Sequence, residues 1–164
     1  MNVQSLAFLA FLTVTVCACR LLGKKRRTWA LLAASLVFYL WSGTPAAWWG
    51  CGLLLVSSAV SLLAANRLRK DRRKGVFLAA VCYHIVVLGI FKYTGFLTGG
   101  AVQTPFVPLG ISFFTFQQIW YLHEVYTGAF EDLPAPAEYL TYSFFFPTVS
   151  SGPILKPQNF FPQL

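Results

Sequence analysis

Charge is the scarcest property of this 164-residue sequence. Only 11% of residues are Asp, Glu, Lys or Arg, against about 25% in an ordinary soluble domain. Acids are the scarcer sign, five in the whole chain against 13 bases. With 57% hydrophobic residues and a mean hydropathy of +0.62, the chain carries more apolar surface than a soluble protein of this size can hide. A bilayer is the solvent that suits it, on condition that every backbone polar group is paired within the protein. No segment alternates apolar and polar residues over the roughly ten positions a barrel strand needs, so the long apolar stretches predict helices. Positive charge is missing ahead of the first apolar stretch, which argues against a signal peptide and predicts a retained helix. No two histidines have metal-site spacing, and no glycine-rich loop resembles a phosphate cradle. Cys17, Cys19, Cys51 and Cys82 lie inside apolar stretches without ligand or redox spacing, and read as small core residues. Neither a metal nor a bound cofactor is expected. Internal repeats and low-complexity segments are also absent.

The charge that is present is concentrated. Of 13 basic residues, six lie between positions 67 and 74, and Arg20, Lys24, Lys25, Arg26 and Arg27 form a second group. Both groups separate apolar stretches, the layout of cytoplasmic loops under the positive-inside rule. A nucleic-acid surface is therefore not the reading of the +8 net charge. Spans are expected at about residues 6–22, 29–41, 46–65 and 76–91, with Trp29 and Trp41 as interfacial anchors. An outside N-terminus puts both basic loops, 20–27 and 67–74, on the cytoplasmic side. Two further segments, about 108–126 and 139–155, are interrupted by or adjoin Pro and Gly, and are expected to be kinked or re-entrant. The fold class predicted is thus an all-α polytopic membrane domain occupying 1–164, with the bilayer as its first partner.

Few residues invite chemistry. His84 sits within a predicted span and His123 precedes Glu124. A histidine beside a carboxylate can serve as a general base; His123 is the low-ranking catalytic candidate, since it falls near the membrane edge, and His84 reads as a hydrogen-bonded interior residue. Ser112, Gln117 and Gln118 put polar groups into an aromatic segment, either to line a cavity or to tie helices together. The two glutamines, about 100° apart on a helix, cannot serve one face. Pro147, Gly152 and Pro153 interrupt the last apolar stretch. The absence of acids inside the clear spans argues against a proton-coupled transporter.

The sequence from Pro108 through Gly110, Ser112, Thr115 and Gln117, followed by Tyr121-Leu122 and Val125-Tyr126, resembles the hallmark segment of bacterial membrane-bound O-acyltransferases. Phe145-Phe146-Pro147, Gly152-Pro153-Ile154 and Phe160-Phe161-Pro162 are similar to a second one, and Phe91-Lys92-Tyr93 agrees as well. The resemblance implies a ring of helices around a tunnel and transfer of an acyl group to hydroxyls of alginate-like polysaccharides or, in some members, D-alanine to teichoic acid. It also implies a bacterial cytoplasmic membrane, other envelope-acetylation proteins as partners, and a histidine general base in the later part of the family sequence. Neither His84 nor His123 matches that base. The chain is therefore expected to be an N-terminal portion that stops before the catalytic histidine, inactive by itself and in need of the C-terminal half. A non-catalytic assembly partner or the remnant of a decayed gene is the alternative.

Overall fold

In the computed structural model, residues 6–41, 44–102, 104, 106–130, 132–149 and 155–164 are described, and every regular element among them is helical. The order is α1 (Leu6–Leu21), α2 (Lys24–Leu40), α3 (Pro45–Lys70), α4 (Lys74–Leu88), a π-helical turn (Gly89–Tyr93), α5 (Thr94–Leu97), α6 (Ile111–Thr127), α7 (Pro136–Phe144), α8 (Phe146–Val149), α9 (Pro157–Phe160) and a 3₁₀ turn (Phe161–Gln163).

Two of these rods are long and apolar enough to cross a membrane: Pro45–Lys70 and the continuous Lys74–Leu97. At about 1.5 Å per residue, α3 with its 26 residues reaches about 39 Å. α1 and α2 are shorter, at 16 and 17 residues, so the four expected spans comprise two that qualify by length and composition and two that fall short of that measure.

The basic groups are mostly helical rather than loops. Lys24 to Arg27 form the first turn of α2, and Arg67, Arg69 and Lys70 the last turn of α3. Only residues 22–23 and 71–73 stand between helices. Lys and Arg are good helix formers, so the helical ladder runs on through most of both groups.

α6 departs from expectation in the other direction: it is one unbroken helix. The described proline of its motif, Pro108, precedes its start, and Gly110 (φ 71°) and Gly128 (φ 79°) cap its two ends in the left-handed conformation that glycine adopts without strain. Phe77 of α4 stacks on Tyr126 at 4.7 Å between centroids, and the Arg72 guanidinium lies over Gly128. The C-terminal end of α6 is thereby fixed at the basic end of the bundle.

α3 is the central rod, packed against α2, α4, α6 and α7. Its inward face is made of small residues, among them Ser57, Ser58, Ser61, Ala64 and Ala65, all buried; such residues let helix backbones approach closely. One core cluster gathers Leu68, Tyr121, Leu122, Tyr139 and Tyr142 near the basic end. A second gathers Leu32, Tyr39, Leu54, Val87, Ile111 and Phe144 further along. Large apolar side chains on the outer faces, such as Val56 and Leu63 of α3 and Ile85 and Val86 of α4, stay exposed, as lipid-facing positions do.

α7 breaks at Phe145 (ψ 101°), and Pro147 then occupies the first turn of α8, where a missing N–H costs nothing. The chain beyond returns to the end it left: Tyr142 Oη donates to the Leu155 carbonyl at 2.8 Å, and Arg27 Nη1 donates to the Gln163 carbonyl at 3.4 Å. The described residues of 136–164 are therefore arranged as a bent hairpin with both feet at the basic end. Gly152 and Pro153 lie outside the described residues.

A Cβ at Gly128 would overlap the Arg72 guanidinium, on a backbone that disfavours any side chain. Gly128→Ala should lower stability by about 1–3 kcal/mol, read as a drop in the thermal midpoint of the detergent-solubilised chain; an unchanged midpoint would show that this junction does not hold α6.

Candidate functional site

Buried polar atoms are the places where chemistry or helix adhesion must lie. Ser58 and Ser61 are three residues apart and Ser57 and Ser61 four apart, so α3 shows all three on one side. Ser61 is the hub. Its hydroxyl donates to Gln118 Oε1 at 3.0 Å and lies 2.8 Å from His84 Nε2. With the hydroxyl hydrogen committed to Gln118, Ser61 Oγ accepts from His84, which puts a proton on Nε2; this tautomer follows from the hydrogen-bond pattern. Gln118 Nε2 donates in turn to Ser58 Oγ at 3.3 Å, and Ser57 Oγ lies 3.4 Å from Tyr83 Oη. One polar seam thus ties α3, α4 and α6 together.

Gln117 faces another way, as its position on the helix requires. Its Nε2 donates to the Tyr142 carbonyl at 2.8 Å, joining α6 to α7. The hairpin is pinned from the other side by α2: Thr141 Oγ1 donates to the Thr28 carbonyl at 3.2 Å, and the Phe146 N–H donates to Ser35 Oγ at 3.3 Å. Phe146 closes an aromatic contact with Phe38 and Phe11 at 5.5 and 5.3 Å. Next to it, Pro147 lines a cavity of about 290 Å³ with Leu12, Val16, Arg20, Arg27 and Phe145. Both glutamines are hydrogen-bonded between helices, and Pro147 is among the residues around this cavity.

His123 and Glu124 are neighbours in sequence but not partners in space. His123 is exposed, its ring between Phe77 and Trp120 at 6.4 and 6.5 Å, and the Glu124 carboxylate instead accepts from Gln158 Nε2. Consecutive residues on a helix point about 100° apart, which is why the sequence neighbour does not become a partner. No group of three or more His, Cys, Asp or Glu among the described residues could hold a metal ion.

Ser112 belongs to a third place, at the opposite end of α6. Lys92, in the π-helical turn, donates from Nζ to Ser112 Oγ at 2.8 Å. A groove of about 240 Å³ runs beside them, lined by Val107, Pro108, Leu109, Gly110 and Phe113. Two of its lining residues are held against neighbouring helices, and the π-helical turn beside it has a tie of its own. Tyr39 Oη donates to the Leu109 carbonyl. Pro108 comes so close to Gly50 that a Cβ there would meet it at 3.3 Å. Thr104 Oγ1 donates to the Phe91 carbonyl at 3.2 Å, within the turn whose wider winding disrupts the regular ladder. Sequence reading named Ser112 and, separately, the Phe91-Lys92-Tyr93 piece without joining them, and it missed Ser58 and Ser61; the one available signal was three serines at helical spacing inside an apolar run.

No family model and no solved structure matches the chain. Curated relatives do. A probable alginate O-acetylase of Pseudomonas aeruginosa is 32% identical over 171 residues, covering 89% of this chain and 31% of the relative. Those of Pseudomonas putida and Azotobacter vinelandii are 30% and 32% identical, covering 82% and 79% of this chain and 30% and 29% of their own lengths. The chain thus spans about three-tenths of the length of the curated relatives it matches.

Gln118→Leu should strand Ser58 and remove the acceptor of Ser61. One interhelical hydrogen bond in a membrane is worth about 0.6 kcal/mol on average, and an unsatisfied buried group costs about 1–3 kcal/mol; the second effect dominates. The expected loss of about 1–2 kcal/mol would appear in equilibrium unfolding of the micellar protein, and a gain in stability would show the seam to be dispensable.

Proposed function

We propose that this chain, which belongs to the membrane-bound O-acyltransferase family of its alginate O-acetylase relatives, builds part of the helical wall of an enzyme that moves an acetyl group onto hydroxyls of a cell-envelope or exported polysaccharide. The observation that carries this reading is the match over 89% of the chain at 32% identity to a probable alginate O-acetylase. Because the chain spans 31% of that relative, the reaction is assigned to the assembled family fold and not to these residues alone.

In this reading α1 to α4 are four crossings in a bacterial cytoplasmic membrane, with the N-terminus outside and both basic groups in the cytoplasm. α6 is a further crossing, and the described residues of 136–164 dip in from the cytoplasmic side and return to it. The chain's own contribution is positioning. The Ser58–Ser61–His84–Gln118 seam holds α3, α4 and α6 in register, and Gln117 and Ser35 hold the hairpin at its depth. The base that takes the acceptor hydroxyl's proton is expected from the remaining part of the family sequence. His84 Nε2 is engaged with Ser61 and His123 is turned away from Glu124, so neither is offered for that role. The acyl donor is left open, and the partners are the remainder of the family fold and other envelope-acetylation proteins.

The decisive measurement is acetyl transfer to a polysaccharide acceptor in membranes that hold this chain, with and without a co-expressed C-terminal two-thirds of an alginate O-acetylase. Activity only with both supports the reading; no activity in either favours a non-catalytic assembly role, and activity from the chain alone overturns the division of labour. In the active pair, His123→Ala should keep transfer within about twofold of wild type, because side chains outside the reacting constellation contribute little to the barrier; a loss of a hundredfold would return His123 to the catalytic centre.

Orientation has its own check. In a cysteine-free background, an impermeant maleimide should label Val102→Cys in intact cells and Asp71→Cys only after permeabilisation. The reverse pattern would invert the topology.

A further inference from the structure

Arg20 stands in the last turn of α1 and Arg27 in the first turn of α2. Both line the cavity of about 290 Å³ that Pro147 borders. The walls behind them are apolar: Leu12 and Val16 of α1, Leu31 of α2, and Phe145 and Phe146 of the hairpin. The Thr15 hydroxyl at this wall is engaged with the Phe11 carbonyl at 2.8 Å. Leu12, Val16 and Cys19 share one face of α1, so the cavity follows that helix inward for about 10 Å from the level of the arginines. A second cavity of about 270 Å³, with Leu155 and Phe160 in its lining, shares the wall made by Leu31 and Phe145.

The positive charge at this mouth is not balanced by the chain. The first Asp or Glu in the sequence is Asp71, which pairs with Arg73. The carboxylates of Glu124 and Glu138 accept from Gln158 and from the Ala135 N–H, and Asp132 lines a different cavity with Arg69 and Arg72. Among the described residues Arg27 is held by one long hydrogen bond, 3.4 Å to the Gln163 carbonyl, and its Nε is buried without an acceptor. A half-buried guanidinium with most of its five donors unengaged calls for an anion. Gly23 gives the first N–H groups of α2 no side-chain cap, so the positive pole of that helix lies at the same end.

From this arrangement we propose that the cavity between α1, α2 and the hairpin holds one anionic phospholipid of the leaflet at the basic end. Its headgroup phosphate sits on Arg20 and Arg27, and an acyl chain runs inward along Leu12, Val16 and Phe145. Phosphate oxygens accept charge-assisted hydrogen bonds from guanidinium groups. The two halves of the site need one molecule: a free phosphate leaves the apolar walls uncovered, and a neutral lipid leaves the arginines unpaired. Basic residues at a membrane surface draw acidic lipids in general; the cavity makes one of those encounters specific. A lipid seated there also braces the Phe145 break against α1. The site rests on the membrane reading of the chain and on neither acetyl transfer nor the side of the membrane at which the basic end lies.

The test is native mass spectrometry of the detergent-extracted chain, exchanged with phosphatidylglycerol or with phosphatidylethanolamine of identical acyl chains, with inorganic phosphate as competitor. A charge-assisted hydrogen bond of the usual strength predicts that one phosphatidylglycerol is held about tenfold or more tightly than phosphatidylethanolamine. Arg27→Gln and Arg20→Gln should each remove most of that preference. Arg26→Gln, exposed in the same basic group, should leave it nearly unchanged. Val16→Phe, which fills the cavity, should weaken both lipids. Equal effects of Arg26→Gln and Arg27→Gln overturn the proposal in favour of diffuse surface attraction. Unchanged retention in Val16→Phe overturns the cavity, and displacement of the lipid by phosphate at equal concentration overturns the lipid. Loss of the lipid on co-expression with the C-terminal two-thirds of an alginate O-acetylase overturns it in favour of a protein seat. Should Arg27→Gln fail to fold, Arg20→Gln and Val16→Phe decide the same question. Acetyl transfer without arginine-dependent retention sinks the lipid site alone, and retention without transfer leaves it standing.

Discussion

One hydroxyl, Ser61 Oγ, governs how this bundle fits together. In an apolar surrounding a buried polar atom has no water to fall back on, so it is either paired inside the protein or left at a cost of kilocalories. Ser61 meets that requirement for two neighbours at once, accepting from His84 on α4 and donating to Gln118 on α6. Apolar side chains could slide past one another at little cost, since lipid and leucine are alike. A chain of directional bonds cannot, and it fixes rotation and depth of three helices together. The small residues around Ser61 then let the backbones close on this geometry.

The hairpin obeys the same rule at its break. Phe145 leaves the helical ladder, and the next N–H, that of Phe146, would be orphaned at depth without Ser35. A helix can therefore be interrupted inside the bundle only where a neighbouring helix presents a hydroxyl at the right height. α2 supplies it on one side and Gln117 meets the Tyr142 carbonyl on the other. The result is irregular backbone within a wall of regular helices, next to the cavity that Pro147 borders. Irregular backbone at membrane depth is tolerated only where it is buried in protein or lines a cavity.

Much of this was legible in the residues. Composition alone demanded helices in lipid, because 57% hydrophobic content leaves no other solvent. The motif around Pro108 to Gln117 carried the family. Helix limits were less legible. Lys24 to Arg27 look like a loop when charge is counted, but their propensity is helical, and the helix wins. Pro108 suggested a kink in α6, yet it lies ahead of the helix, where it breaks nothing. His123–Glu124 was the tempting pair, defeated by the helical turn. Ser58, Ser61 and the Lys92–Ser112 contact depend on residues 20 to 60 positions apart, and no local pattern announces such a meeting.

The π-helical turn at Gly89–Tyr93 acts as a phase shifter. Its wider winding holds one residue more than a regular turn, so everything after it is out of step with α4 by about 100°. Lys92 lies inside that shift. Removing one residue from the turn would give a smoother helix, with the same charge and nearly the same composition, whose lysine pointed away from Ser112. The aim of the lone cation in that stretch is thus encoded in a count of residues rather than in their identity.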